Sequence, residues 1–473
     1  MKGNDLIATI RCANAGFAGK PALQESGLSL SFTALWDAVD DWVSCFKLYG
    51  IGDGKIVAIA SANSVELAIQ FLALLQVNAS PLLIGKERLL SIRIKEKNVH
   101  TLILPTADAS LADAAGVVAQ GGFRQSMIFL NPVYNARRKQ KRLPAILVTS
   151  SGTTQQPKII MLSVSGIWNN IRANGKALAI TDRDITLQIL PLGYSYGLIG
   201  QFLTHLYHCA TIVMAPPNSY LLHLSRYIKE YSITTLFTVP PILRQFLALR
   251  HPTGVSQMYT SLRLLTIGGN HVEDYTITKA RELFGCQIVK TYGLAEAGPR
   301  VCTNFLTPTS SEASCVGRPL ENMAIRVIGP LGNSLEAGQT GRILVEGPSV
   351  ALGYLNGKAP AIRAGKAVLT KDFGYLDEEG RLVVLGRKNE YLSVDKKKIW
   401  FSQVERAIYN TGKVCKVAST RHGGNLRLQL LLMSNQKLSR PDVRQLLRSD
   451  FGAGLAKRVN IEFMTAMQLK TFK

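Results

Sequence analysis

Two rhythms of apolar and polar positions run along this chain. Residues 32–50, FTALWDAVDDWVSCFKLYG, carry apolar side chains at helical spacing and stop at Gly50, which predicts an amphipathic helix. KIVAIA (55–60) then reads as a short buried strand, SVELAIQFLALLQVNA (64–79) as a helix and SPLLIG (80–85) as the next strand. Strands alternating with helices of about 10–15 residues predict βαβ units and a parallel sheet. The pattern recurs at 145–151, 186–192 (with a helix to about 208), 210–216, 234–240, 262–269 and 287–293. The expected fold class is therefore α/β.

After about residue 315 the rhythm changes. VGRPLENMAIRVIG, GRILVEG and GRLVVLGR are short strands divided by Gly, Pro and Asn turns, which predicts a small antiparallel β-subdomain. Beyond Gly386 and Arg387 a last block reads as a turn, a helix (402–410), two strands and a second helix. The expected organisation is a large N-terminal domain over 1–386 and a small α+β domain over 387–473, hinged near Asn389.

Composition narrows the function classes. Of 473 residues 47% are hydrophobic and 18% charged, enough apolar material for a large core and too much for disorder. No apolar run reaches the roughly 18 residues a membrane helix needs. Asp5 and Arg11 stand where an export leader would be apolar, and the seven cysteines are odd in number with no CxxC. The expectation is a cytoplasmic protein with neither a disulfide framework nor a zinc ribbon. The net charge is +23, and residues 387–473 hold 18 Lys+Arg against 6 Asp+Glu, a local +12. Such a surface attracts polyanions. No nucleic-acid module is visible, so no nucleic-acid partner is expected. The basic run Arg137–Arg142 reads as a solvated linker.

Chemistry concentrates in loops after strands. Ile146–Lys158 carries a buried strand into Thr149, Ser150, Ser151, Gly152, Thr153 and Thr154, then Lys158. Small residues let backbone N–H groups approach an anion, hydroxyls donate, and Lys158 brings charge: a phosphate cradle, though not a Walker A loop. Gly268-Gly269-Asn270 and Tyr292-Gly293-Leu294-Ala295-Glu296 also follow strands, and loops at the carboxyl ends of parallel strands converge on one crevice. Tyr292 offers a flat face to a base, and Glu296 suits Mg²⁺. Asp372 suits the two hydroxyls of a ribose, and Arg387 can grip anionic oxygens in a fork. Singly, each of these also reads as an ordinary turn.

Their order is more specific. TSSGTTQQPK, YGLAE, CVGRPL, GRILVEGPSVALGYLN, TKDFGYLDEEGRLVVLGR and the helix carrying Val404 and Glu405 resemble, in sequence, the core motifs of the adenylate-forming ANL superfamily: acyl-CoA synthetases, adenylation domains of nonribosomal peptide synthetases, and luciferases. The resemblance covers essentially the whole chain. It implies that ATP–Mg and a carboxylic acid form an acyl adenylate and pyrophosphate. The small C-terminal domain then rotates and a thiol takes the acyl group, either CoA or the phosphopantetheine of an acyl or peptidyl carrier protein. Carried across by motif, Thr149–Thr154 and Lys158 bind phosphates. Gly268, Tyr292 and Gly293 line the adenine and acyl sites, and Gly269, Asn270, Leu294 and Ala295 belong to the nucleotide site. Glu296 ligates Mg²⁺, Asp372 holds the ribose, and Arg387 contacts ribose or phosphate. The catalytic set is Lys158, Glu296 and a C-terminal lysine.

The sequence departs from the family at several of these places. Gln155 replaces a loop Gly, Ala295 a Thr hydroxyl, Lys371 a Gly beside the ribose carboxylate, Asn389 the hinge Asp, and Lys396 a Gly of the thioester-forming state. Lys473 fits the spacing of the adenylation lysine, with Lys470 as runner-up.

Leu190–Leu198 corresponds to the family's acyl-pocket motif, with Tyr194, Ser195 and Tyr196 beside Gly268 and Gly293. Amino-acid-activating members carry an Asp where Ser195 stands. A buried ammonium without a counter-charge is costly, so a neutral aryl or acyl acid is expected rather than a standard α-amino acid. The basic C-terminal lobe suits an acidic carrier protein. Two rivals remain. Gly193–Gly197 is also a GxSxG, which a serine hydrolase would use through Ser195 with Asp274 and His422. Alternatively, the altered loops bind a nucleotide without turnover. His205 and His208 read as a packed helix face rather than a metal pair.

Overall fold

The computed structural model describes residues 2–92, 98–134, 145–150, 157–215, 220–249, 259–307, 314–355, 357, 359–433 and 436–464. Helices begin where the sequence supplies a cap. Ser31 accepts from the Ala34 N–H at 3.1 Å and opens Phe32–Leu48. Ser64 and Ser163 do the same for Val65–Gln76 and Val164–Ala177. Ser439 and Asp442 close a capping box on Arg440–Phe451.

Two sheets organise the chain. In the larger, of 14 strands, Pro21–Glu25, Thr211–Met214, Ile185–Gln188, Thr235–Thr238, Leu264–Ile267 and Gln287–Tyr292 lie side by side in that order, all parallel. Past Gln287–Tyr292 the same sheet continues antiparallel through Cys302–Phe305, Cys315–Pro319, Leu382–Arg387 and Ala367–Leu376. The β-subdomain expected after 315 is thus joined edge to edge with the parallel strands. In the second sheet, of 8 strands, Ile146–Thr149, Ser80–Ile84, Ile56–Ala60 and Thr101–Pro105 form the parallel centre.

Strands buried on both faces explain the unbroken apolar runs. One core joins Ile59 and Val148 of the second sheet, Leu23 and Ile212 of the first, and the helices between them through Trp42, Phe71 and Phe202. A second core covers the far face of the larger sheet and a third the far face of the smaller. The segment from Leu392 to Ile461 packs about its own core, including Val404, Leu428 and Leu447.

One predicted helix is not a plain α-helix. Tyr196–Leu203 is a π-helix that passes into a single α-turn, Thr204–Tyr207. Side chains take up its carbonyls: Asn174 Nδ2 donates to Gly200 O at 2.7 Å and Thr204 Oγ1 to Ile199 O at 2.8 Å. Such bulges recur at functional sites. His205 is fully buried, with Nδ1 on Gln201 O and Nε2 on Thr235 Oγ1, so it is a packed helix residue as expected. Among the described residues no helix is long and apolar enough to cross a membrane.

Candidate active site

Neighbouring strands Leu264–Ile267 and Gln287–Tyr292 run parallel, so their following turns emerge at one edge. There Gly269-Asn270 and Tyr292-Gly293 line a cavity of about 430 Å³, with Gly268 packed behind them, a volume suited to a small ligand. Gly268 and Gly293 are dictated by packing. A Cβ on Gly293 would collide with the Pro299 carbonyl oxygen, and one on Gly268 with Thr291 Oγ1 and the Tyr196 ring.

The antiparallel extension brings Asp372 and Arg387 to the same cavity as cross-strand partners. The Tyr292 hydroxyl donates to Asp372 Oδ2 at 2.7 Å, and Arg387 Nε lies 3.4 Å from Asp372 Oδ1. Burial, with the Asp372 carboxylate beside it, raises the Tyr292 phenol well above its ordinary pKa, so it stays a donor. The Asp372 N–H donates to Thr370 Oγ1 at 3.1 Å, which fixes the carboxylate on its strand.

The loop expected to hold phosphate is flanked by a β-hairpin rather than by a strand and a helix. Ile146–Thr149 pairs antiparallel with Ile159–Leu162; Ser150 N–H donates to Lys158 O at 2.9 Å and Lys158 N–H to Ser150 Oγ at 3.2 Å. Thr149, Ser150 and Lys158 are therefore held together at its base. Ser151, Gly152, Thr153, Thr154 and Gln155 lie outside the described residues, as do Lys470 and Lys473. Lys158 Nζ sits 4.6 Å from the centre of the Tyr354 ring, and the Tyr354 hydroxyl donates to Glu296 Oε1 at 3.0 Å. Tyr354 has no role assigned from sequence. Its strand, Gly353–Tyr354, is two residues long and adds to the edge of Ile159–Leu162, a pairing no periodicity reports. Leu294 and Ala295 lead directly into Glu296.

Among the described residues no three metal-ligating side chains cluster. Glu296 accepts from Tyr354 through Oε1, and a carboxylate of this kind suits a hard divalent cation whose other ligands would come from phosphate oxygens and water.

Tyr196 packs against Gly268 and Tyr194 against Gly269. Tyr196 Oη pairs with Thr266 Oγ1 at 2.6 Å, and a Cβ on Gly269 would sit 2.8 Å from the Tyr194 hydroxyl. Burial and the neighbouring Tyr196 push Tyr194 up to about 12. Ser195 is 2% exposed. Among the described residues no histidine is hydrogen-bonded to it. Asp274 opens the helix Asp274–Phe284, and His422 ends a hairpin strand. The hydrolase triad is not assembled.

The C-terminal segment reaches the cavity through Phe401–Tyr409. Arg244 is ion-paired to buried Glu273 at 2.9 Å and lies 3.9 Å over the Tyr409 ring. Glu405, on the same helix, lines the cavity, accepts from Ser419 Oγ and sits near Glu390. Burial pushes Glu405 up to about 7, against the Ser419 hydrogen bond and the Arg244 charge, while Glu390 adds to the rise. A carboxyl raised on folding holds its proton more tightly in the native state, so its stabilising contribution is present at low pH and is lost as pH rises from about 4.5 to about 7. Glu405→Gln should therefore be more stable than the parent by roughly 2 kcal/mol at pH 8 and indistinguishable at pH 4. Urea midpoints at the two pH values check this; parallel profiles would refute it.

The Lys396 departure has a structural reading. Tyr391–Val394 and Lys397–Trp400 form a hairpin whose two turn residues, Asp395 and Lys396, have φ of 47° and 64°. This is the left-handed region that favours glycine. Asn389, φ 80°, is a residue type that tolerates it. Lys396→Gly should raise thermal stability by roughly 1 kcal/mol, and a lower melting temperature would contradict the strain argument.

A model of the AMP-binding enzyme family matches residues 11–355. Among curated proteins, the 2-succinylbenzoate–CoA ligase of Enterococcus faecalis is 25% identical over 393 residues, covering 82% of this chain and 80% of its own. The indoleacetate–CoA ligase of Aromatoleum aromaticum is 28% identical over 427 residues, covering 85% and 82%. Among solved structures, an anthranilate–CoA ligase in complex with anthranoyl-AMP superposes with a TM-score of 0.83 at 19% identity, over 98% of this chain and 95% of that one.

Proposed function

This chain belongs to the AMP-binding enzyme family of adenylate-forming enzymes, and we propose that it activates a carboxylic acid with ATP as acyl-AMP and passes the acyl group to a thiol. One observation carries the reading: Tyr292 is tied across 80 residues of chain to Asp372, which faces Arg387 on the next strand, and all three lie on the wall of a single cavity. A carboxylate accepting from a phenol and facing a guanidinium suits a ribose diol with an anion beyond it. The relatives described above are CoA ligases of 2-succinylbenzoate, indoleacetate and anthranilate, which supports an aryl or acyl acid as substrate.

In the first step a carboxylate oxygen of the acid attacks the α-phosphorus. The bond to the bridging oxygen breaks, and pyrophosphate leaves with its electron pair. Lys158, held over Tyr354, offsets charge on the departing phosphates, and Glu296 is oriented by the same phenol. A divalent cation bound at Glu296 would neutralise phosphate charge. In the second step the thiol adds to the acyl carbon, AMP leaves, and the thiol proton is released. The basic residues 387–473 form the mobile small domain in this reading, hinged near Asn389.

The thiol is a phosphopantetheine. The relatives' names favour free CoA, whereas the local +12 favours an acidic carrier protein. Carrier loading that slows steeply with salt, and outpaces CoA at low salt, supports the carrier. ATP–pyrophosphate exchange across chemically diverse acids tests the whole reading. Exchange driven by acids without an α-ammonium supports it; exchange with proteinogenic amino acids alone, or nucleotide binding with no exchange, overturns it.

A further inference from the structure

Residues 349–355 fasten together two turns that belong to different sheets. On one side Leu352 N–H donates to Met161 O and Leu355 N–H to Ile159 O, both at 2.8 Å. The short strand Gly353–Tyr354 therefore lies antiparallel on Ile159–Leu162, with Tyr354 opposite Ile160 and close to Lys158 in the chain. On the other side Ala351 N–H donates to Glu296 O at 2.9 Å. A Cβ on Gly298 would sit 2.8 Å from Ser349 O, so the turn that carries Glu296 is pressed against the same segment. Ile159–Leu162 belongs to the 8-stranded sheet, whereas Glu296 follows a strand of the 14-stranded one.

Tyr354 joins the side chains of the two turns as well. Lys158 Nζ lies 4.6 Å from its ring centre, and its hydroxyl donates to Glu296 Oε1 at 3.0 Å. A cation and a carboxylate thus share one aromatic side chain, and no ion pair joins Lys158 to Glu296. Opposite charges on two sides of one ring attract each other. A direct pair would neutralise both: the lysine would offer less charge to a phosphate, and the carboxylate less to a cation. The negative face of the ring holds the ammonium without cancelling its charge. The phenol O–H orients the carboxylate, again without cancelling it.

We propose that Tyr354 is a positioning residue that stands between Lys158 and Glu296 and keeps them from pairing, so that the ammonium stays open to the ATP phosphates and the carboxylate to a divalent cation. This deepens the function proposed above and rests on its assignment of Lys158 and Glu296. One side chain then sets two groups at once, and the two contacts are separable by substitution.

Calorimetry with ATP in EDTA, and Mn²⁺ binding to the ATP complex followed by electron paramagnetic resonance, test this in the full chain. Tyr354→Phe keeps the ring and loses the donor. It should hold the parent's ATP affinity in EDTA, while its Mn²⁺ affinity falls by roughly tenfold or more. Tyr354→Leu removes both contacts and lets Lys158 pair with Glu296, so its ATP affinity in EDTA should also fall by roughly tenfold or more. Adding Glu296→Gln to Tyr354→Leu releases Lys158 and should restore most of that loss. A side chain that served only to pack would give no such rescue, and a double variant that binds ATP no better than Tyr354→Leu overturns the proposal. Tyr354→Phe with the parent's Mn²⁺ affinity overturns it too, and decides the matter where the leucine variants do not fold. A parent that binds ATP and Mn²⁺ but shows pyrophosphate exchange with no acid removes acid activation, while the two affinities still judge Tyr354. A parent that binds neither overturns both.

Discussion

Asp372→Ala is expected to lower kcat/KM for ATP by roughly 10²–10³-fold, most of it in KM. The carboxylate accepts from Tyr292 and faces Arg387, and in the proposed complex it accepts from the ribose hydroxyls as well. Hydrogen bonds to a charged acceptor contribute roughly 1.5–3 kcal/mol each, so losing two of them accounts for that factor. Tyr292→Phe removes one donor and leaves the carboxylate in place, so a loss of about tenfold is expected. Steady-state kinetics with ATP as the varied substrate measure both. An Asp372→Ala enzyme with the parent's KM would show that the ribose lies elsewhere.

The other large effect lies at the opposite end of the parallel strands. Asp184, 2% exposed, precedes Ile185–Gln188 and receives Arg263 Nε and Nη2, each at 2.7 Å. Thr181 N–H at 2.9 Å and Thr234 Oγ1 at 2.7 Å complete its shell. Burial alone would raise its pKa, but Arg263 and the two threonines outweigh it and hold the carboxylate below its ordinary value. A depressed carboxylate contributes stability above its unfolded pKa and loses it as pH falls through the native one. Asp184→Ala should therefore cost about 3 kcal/mol at pH 7, the low end for a broken buried pair because Arg263 is partly exposed. The difference should shrink in acid. Urea unfolding of parent and variant at pH 7 and pH 3 checks this, and a gap that widens in acid would refute it.

Part of the cavity wall is legible in the sequence. The turns after Leu264–Ile267 and Gln287–Tyr292 can be paired from sequence because parallel strands share a direction, and Gly269 and Tyr292 line one cavity. Asp372 and Arg387 were each assigned a ligand, but their cross-strand pairing was not foreseen. Tyr354 and Arg300 went unnoticed for different reasons. Tyr354 acts from a two-residue edge strand, below the length at which alternation can be detected. Arg300 draws no reading from the sequence, since a lone Arg after Gly298-Pro299 carries no sign of burial.

What the sequence determined by itself was local and ordered in chain: the helix caps at Ser31, Ser64, Ser163 and Ser439, the apolar strands, and a series of motifs whose succession identifies an adenylate-forming enzyme. Those features depend on neighbours a few residues away, so their pattern is written in the spacing of side chains. Only the tertiary structure decided that the antiparallel strands continue the parallel sheet, that Tyr196–Leu203 winds as a π-helix, and that Arg300 is buried without a counter-charge. Each of these rests on contacts between segments distant in the chain, such as Asn174 on Gly200 or Asn170 on Arg300, and the cost or gain of such a contact exists only once the core has closed around it.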